Sequence, residues 1–138
     1  HLDQLMWSPG WVERDERDWR PVLEAIVQAP RWIIDGNDAS TMELRLARAD
    51  QVVFLDFSPA RCLWRVIRRI WAARGTTRPD MAPDCPERFD AGFLWYVATW
   101  HNRPRQRTER ALAGHEAKLL YIRSPQELER WLASLSAR

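Results

Sequence analysis

The segment that decides the fold runs from residue 51 to residue 70 and reads QVVFLDFSPARCLWRVIRRI. Its first part, 51–57, is apolar on both faces, which is typical of a buried parallel strand. Ser58 and Pro59 supply a helix start with proline in the first turn, and an apolar stripe with helical spacing follows. A buried strand followed at once by an amphipathic helix predicts an α/β sheet with parallel strands and helices on both faces.

The same alternation continues on both sides of this segment. The patterns predict strands at 32–34 and 118–122 and helices at 15–28, 40–48 and 124–135. Pro9 and Gly10 predict a turn. Asp84 and Glu87 form a capping-box pattern that predicts the start of another helix, and the basic, proline-containing stretch 102–107 predicts a break.

Composition describes one soluble globular domain. The chain has 138 residues, of which 46% are hydrophobic and 29% charged, and its net charge is only +2. No run approaches the roughly 18 apolar residues of a membrane helix, and the first residues show no signal-peptide pattern. Cys62 and Cys85 do not have metal-site spacing, so we expect reduced thiols and a cytoplasmic protein. The small net charge argues against a general polyanion binder.

Arginine is concentrated in an acid-free stretch at 57–79. The arginines of this stretch are Arg61, Arg65, Arg68, Arg69, Arg74 and Arg78. Arg65 and Arg69 lie four residues apart on one helical face, and the planar guanidinium suits the oxygens of phosphate. Two interpretations stay open: a phosphate site, or a solvated basic face that binds nucleic acid or a partner.

Asp35 follows the predicted strand in the segment WIIDGN at 32–37. Ligands of parallel sheets bind beyond the carboxyl ends of the strands, where a carboxylate holds a water molecule of a Mg²⁺ shell near phosphates. The alternative is that Asp35 caps the turn that follows, since Asp-Gly is common in turns.

The loop at 74–88 is long for a compact domain, and such loops are usually functional or disordered. Its basic residues Arg74, Arg78 and Arg88 suit a lid that closes over phosphates. Near the start of the chain, Asp3 beside Trp7 predicts a contact with a polar substrate group, although packing at a chain end explains the same residues.

Several segments together resemble a bacterial family of P-loop proteins, the DNA topology modulation proteins, which is related to adenylate kinase. The matching segments are HLDQLMWSPGW, WIIDGN, RLARADQVVFLDF, LWRVIRR, RGTTRPDMAPDCPERFD and FLWYV. They follow in the family's order and cover nearly the whole chain.

The resemblance implies a three-layer fold around a five-stranded parallel sheet. It further implies ATP-dependent phosphoryl transfer to a nucleotide or another small phosphate acceptor. Residues 1–138 would form one partial kinase-like domain with a lid-like insertion at about 74–88. The family's first strand, phosphate-binding loop, first helix and most of its second strand have no counterpart in this sequence.

The resemblance also assigns roles to individual residues. Asp35 matches the acid near Mg²⁺, through a water molecule. The arginines assigned to ATP and the transferring phosphates are Arg65, Arg69, Arg78 and Arg88. The residues assigned to the acceptor are Asp3, Trp7, Gly36 and Asn37. Asp38 stands where the family usually has tyrosine, so we expect a different acceptor site.

The phosphate-loop pattern GxxxxGK[ST] does not occur in this sequence, and Lys118 is its only lysine. That loop supplies backbone N–H groups and a lysine to the phosphates, so we expect this chain to be inactive alone. Two hypotheses follow: part of a kinase, or a non-catalytic module that binds anions, nucleic acid or protein through its arginine face. Two apolar strands without the central strand would expose unpaired edges, so we expect an oligomer or a complex.

Overall fold

The computed structural model describes residues 1–136, without the side chain of Arg103. The chain is mixed α/β and about 53% helical. The helices are α1 Leu2–Met6, α2 Glu16–Gln28, α3 Met42–Arg48, α4 Pro59–Ala73, α5 Ala91–Ala98, α6 Arg103–Leu112 and α7 Pro125–Ser136, with a 3₁₀ turn at Glu116–Lys118. The strands are β1 Trp7–Ser8, β2 Val12–Glu13, β3 Val52–Leu55 and β4 Leu119–Ile122. Within this part of the chain, no helix is both long and apolar enough to cross a bilayer.

The central element is a parallel pair of strands, β3 and β4. Their register pairs Val52 with Leu119 and Leu55 with Ile122. The predictions of strands at 51–57 and 118–122 are therefore confirmed, as is the parallel pairing. Among residues 1–136 no third strand joins this sheet, so each strand keeps one hydrogen-bonding edge free.

The strand predicted at 32–34 is wrong for this structure. This segment forms no ladder, and Ile33 is 97% exposed. An isolated extended segment gains nothing from a β conformation, because a strand is stabilised by hydrogen bonds to a neighbour. Trp32 and Ile34 instead pack against the core between α1 and α2.

Helix starts were predicted well where the cap is local. Ser58 Oγ accepts a hydrogen bond from the backbone N–H of Arg61 at 3.4 Å, and Pro59 occupies the first turn of α4. At α7 the predicted serine cap is formed, since Ser124 Oγ accepts from the N–H of Glu127 at 3.2 Å, whereas the glutamate half of the capping box reaches one residue further back. The Glu127 carboxylate in turn accepts from the N–H of Arg123 at 2.7 Å.

Two helix boundaries were predicted wrongly. The capping box at Asp84 does not form, because Asp84 has a φ of +54° and the Glu87 carboxylate is engaged by arginines. Helix α5 begins later, where Asp90 Oδ1 accepts from the N–H of Phe93 at 2.9 Å. The stretch at 102–107 is not a break, because Pro104 lies in the first turn of α6, where its missing N–H costs no hydrogen bond.

The loop at 74–88 is ordered and docked on the N-terminal hairpin of β1 and β2. Buried Met81, Ala82 and Cys85 pack against Trp7 and Trp11. The backbone adds two anchors: a carbonyl of the loop accepts from the N–H of residue 10 at 2.9 Å, and another accepts from the indole of Trp11 at 3.0 Å. The loop is therefore packed on the Trp7 and Trp11 side of the hairpin. Both cysteines of the chain are free.

Asp56 ties the carboxyl end of the sheet to α6. Its side chain is 7% exposed and accepts two hydrogen bonds from Arg105, at 3.0 and 2.9 Å. His101 and Arg123 lie 3.6 and 3.7 Å away. The carboxylate is covered by these partners rather than lying deep in a core. Hydrogen bonds from Arg105 lower the pKa of Asp56 most, although burial opposes them.

Replacing Asp56 with asparagine should destabilise the fold by about 1–3 kcal/mol at pH 7, because Arg105 loses its charged acceptor. The pKa of Asp56 is lowered in the folded state, so its contribution is complete above the ordinary value of 3.8 and is lost as pH falls through the lowered folded pKa. Urea unfolding of the wild type and D56N at pH 7 and at about pH 3 measures this. An equal difference at both pH values would contradict the assignment.

Candidate functional site

Asp35 lies on a loop held by the first helix. The backbone N–H of Leu2 donates to the Asp35 carbonyl at 3.1 Å, and Asp35 Oδ1 lies 2.7 Å from His1 Nδ1. The Asp35 side chain is 68% exposed, so its other oxygen faces solvent. The carboxylate is therefore positioned by the chain start and accessible to a ligand.

Gly36 allows α1 to approach this loop. Its φ is +125°, and a Cβ at this position would lie 2.8 Å from the side chain of Leu2. Arg45 holds the loop from the other side by donating to the Gly36 carbonyl at 2.9 Å and to the Asp38 carbonyl at 2.6 Å. Asn37 donates to the Tyr96 hydroxyl at 3.3 Å and so connects the loop to α5.

A buried carboxylate lies between two arginines at the base of the docked loop. Glu87 is 5% exposed, and its Oε1 lies 2.8 Å from Arg69 Nε and 2.5 Å from Arg78 Nε. Neither Nε–H points at the oxygen, so these contacts are ion pairs and not hydrogen bonds. Arg78 also pairs with Asp80. The charge of Glu87 is thus balanced by the two arginines, although its Oε1 and the two Nε atoms form no hydrogen bonds.

Asp3 lies close enough to this group to experience its charges. Partial burial raises the pKa of the Asp3 carboxyl, although the residue keeps solvent contact. The positive charge of Arg78 lowers the pKa of Asp3, whereas the charges of Asp35 and Asp80 raise it. The pKa of Arg69 is lowered, first by burial and then by the charge of Arg78.

Glu87 pairs with Arg69 and Arg78, Arg78 pairs with Asp80, and Asp3 lies within reach of the charges of these arginines and of Asp35. We call this group the acid–arginine cluster. Its members are Asp3, Asp35, Asp80, Glu87, Arg69 and Arg78. They come from α1, the loop at 32–37, α4 and the docked loop, so the fold brings four separate segments together. Two of its four carboxylates, Asp80 and Glu87, pair with its two guanidiniums.

Five residues assigned from the sequence lie outside this cluster, and two of them, Gly36 and Asn37, adjoin Asp35 on its loop. Arg65 is exposed one helical turn before Arg69. Arg88 is exposed with its guanidinium 5.1 Å from the centre of the Trp11 ring. Trp7 packs edge to face on Trp11 at 5.5 Å and belongs to the core under the loop.

The sequence reasoning missed Glu87 and Arg45. Glu87 matched a local capping pattern, which concealed its role as partner of two arginines. A signal was present, because Glu87 and Asp84 are among the few acids near an arginine-rich, acid-free stretch. Arg45 looked like an ordinary basic residue at a helix end, and no local pattern connects it to the carbonyls of the loop at 36–38.

Within residues 1–136 no group of three His, Cys, Asp or Glu side chains is arranged to hold a metal ion. The exposed oxygen of Asp35 fits the water-mediated contact that the sequence predicts, because that contact requires one accessible carboxylate and no protein cage.

Comparison with known proteins brought no match: no family model, no curated protein and no solved structure is similar to this chain. Family membership, activity and cofactors therefore stay proposals. They have to be supported by the residues and by the geometry of the acid–arginine cluster.

Replacing Gly36 with alanine should lower the free energy of unfolding by about 1–3 kcal/mol, because alanine is strained at a φ of +125°. The contact with Leu2 should add to this loss. Gly114→Ala is the matched control, since its φ is +85° but nothing lies near its Cβ position. Urea unfolding of both variants checks the prediction, and an equal loss in the two would show that the Leu2 contact is unimportant.

Replacing Glu87 with glutamine should lower the free energy of unfolding by about 3 kcal/mol, because two partly buried arginines lose their counter-ion. Sulfate or pyrophosphate should then raise the melting temperature of E87Q more than that of the wild type, since Arg69 and the Nε side of Arg78 lose their carboxylate, although Arg78 keeps Asp80. Glu24→Gln, which removes an exposed partner of Arg20, should change little. Equal stabilisation of E87Q and the wild type by anions would count against the site.

Proposed function

We propose that this chain provides the acceptor side and the lid of an ATP-dependent nucleotide or small-molecule kinase of the P-loop type. The observation that carries the proposal is the acid–arginine cluster. Arg69 and Arg78, to which the resemblance assigns roles, both contact Glu87. Asp3, which also has an assigned role, lies within reach of the charges of both arginines and of Asp35. These residues were assigned by chemical role and not by position in the sequence, so their proximity in the fold supports a common site.

The chemistry of the cluster suits a phosphorylated ligand. Phosphoryl transfer depends on positioning and on positive charge around the transferring oxygens, and guanidiniums bind such oxygens in pairs. Glu87 would hold Arg69 and Arg78 in place until a phosphate replaces it as their partner. The magnesium ion that accompanies ATP supplies further positive charge, and Asp35 would hold one of its water molecules.

The sheet supports the finer fold proposal, a three-layer P-loop arrangement with a further strand. Leu55 of β3 is 49% exposed and Ile33 is 97% exposed. A strand inserted between β3 and the segment at 32–34 would cover both and would satisfy the free edge of β3. In the proposed kinase that strand leads into the phosphate-binding loop, and it would be contributed by another polypeptide or by residues beyond this sequence.

A second candidate function is an anion-binding module without catalysis. The outer face of α4 favours it, because Arg61, Arg65 and Arg68 are exposed and, in the part of the chain that the structure describes, none of them pairs with a carboxylate. The two candidates differ in which arginines bind the anion. The kinase proposal requires Arg69 and Arg78, whereas the module requires the outer face.

Inorganic pyrophosphate should bind the chain at the acid–arginine cluster. The chain should not turn over ATP. Arg69→Gln and Arg78→Gln should each weaken binding roughly tenfold, because each removes a charge-assisted contact. Arg68→Gln, on the exposed face of the same helix, should leave the affinity unchanged. Isothermal titration calorimetry measures the affinities, and thermal melting establishes that each variant is folded.

Two results would overturn this proposal in favour of the second candidate. One is a loss of pyrophosphate binding in R68Q that equals the loss in R69Q. The other is unchanged binding in both R69Q and R78Q. Arg78→Lys provides a second test if R78Q does not fold, since lysine keeps the charge but loses the planar fork.

A further inference from the structure

A cleft opens between the end of α4 and the end of the docked loop. It has a volume of about 500 Å³, within the range of small-molecule sites. The side chains that matter in its lining are Ile70, Trp71, Arg74, Glu87, Arg88 and Phe89. Neither Arg69 nor Arg78 lines it, so the cleft is distinct from the acid–arginine cluster although Glu87 belongs to both.

The cleft has aromatic walls that are open to solvent. Trp71 is 83% exposed and Phe89 is 73% exposed, whereas Ile70 is buried at 8% and forms the apolar base. Aromatic rings prefer to stack on or contact other aromatic groups. Two exposed rings lining one concave site therefore fit a flat aromatic group better than an aliphatic chain.

The charge of the cleft selects an anionic ligand. Arg74 and Arg88 are both exposed where they line it. The one carboxylate in the lining, Glu87, is already neutralised by two arginines outside the cleft. Arg88 also makes a loose ion pair with Asp90 at 3.9 Å, which an incoming phosphate can replace. The cleft thus combines aromatic walls with a net positive edge.

We infer that this cleft binds a nucleotide, with the base between Trp71 and Phe89 and the phosphate at Arg74 and Arg88. The inference goes beyond the proposed function, on which it rests for the reaction, by adding a nucleotide site beside the acid–arginine cluster. Base stacking on an aromatic side chain is a strong and sequence-tolerant contact. A phosphate on the same molecule distinguishes the ligand from an uncharged aromatic compound.

A cleft that binds a single nucleotide also differs from an extended surface along α4 that would bind nucleic acid. The exposed Trp64 and the arginines Arg61, Arg65 and Arg68 continue along α4, away from the cleft lining. A single-stranded nucleic acid bound along the helix would need these residues as much as Trp71. A single nucleotide would need only the cleft, and this difference provides the controls.

The test uses AMP, GMP, CMP and UMP as probes and calorimetry on the folded chain. At least one monophosphate should bind, and its nucleoside should bind about tenfold more weakly. Trp71→Leu and Phe89→Leu should each weaken binding about tenfold, as expected for the loss of base stacking. Trp64→Leu, an exposed tryptophan on the same helix, should have no effect, and Arg74→Gln should weaken binding while Arg68→Gln does not.

The outcomes separate this inference from the proposed function. If W71L and F89L lose nucleotide binding while pyrophosphate does not bind the wild type, the cleft is supported and the kinase proposal fails. If no monophosphate binds, or if W71L and W64L behave alike, the cleft assignment is overturned. Binding of a twelve-nucleotide thymidine strand that depends on Trp64 and Arg68 as much as on Trp71 also overturns it.

Discussion

The carboxylate of Glu87 between Arg69 and Arg78 is the interaction on which the rest of the site depends. It joins α4 to the loop at 74–88, and no other charged contact between these two elements is as deeply buried. An ion pair taken out of water is stabilising only while it stays complete. The position of the loop, the spacing of the two guanidiniums and the electrostatic environment of Asp3 therefore change together.

The docked loop gives the N-terminal segment much of its order. The hairpin of β1 and β2 has two residues per strand, which is too short for independent stability. It is held because Trp7 and Trp11 pack on the buried side chains of the loop. Helix α1 is held in turn by the loop at 35–36, so Asp3 is fixed by two unrelated contacts. The N-terminal segment and the docked loop therefore form one packed unit.

Local signals in the sequence predicted more than long-range ones. The serine caps at Ser58 and Ser124 could be predicted because donor and acceptor are within three residues of one another. The strand at 32–34 could not, because its stability depends on a partner strand that the described chain does not provide. Among the residues assigned from the sequence, Arg69 and Arg78 meet at Glu87, and Asp3 lies within reach of their charges. Glu87 was missed because a distant pair of arginines uses a residue whose neighbours suggest a helix cap.

The reactivity of the Cys85 thiol reports whether the docked loop is in contact with the hairpin. Its side chain is fully buried, and its thiol lies 3.4 Å from the Ser8 carbonyl, to which it donates. A thiol reagent cannot reach this sulfur while the loop stays docked, whereas Cys62 is only partly covered. The rate at which a thiol reagent labels Cys85 therefore depends on how often the loop separates from the hairpin. A ligand that holds the two together would slow this rate without contacting the sulfur.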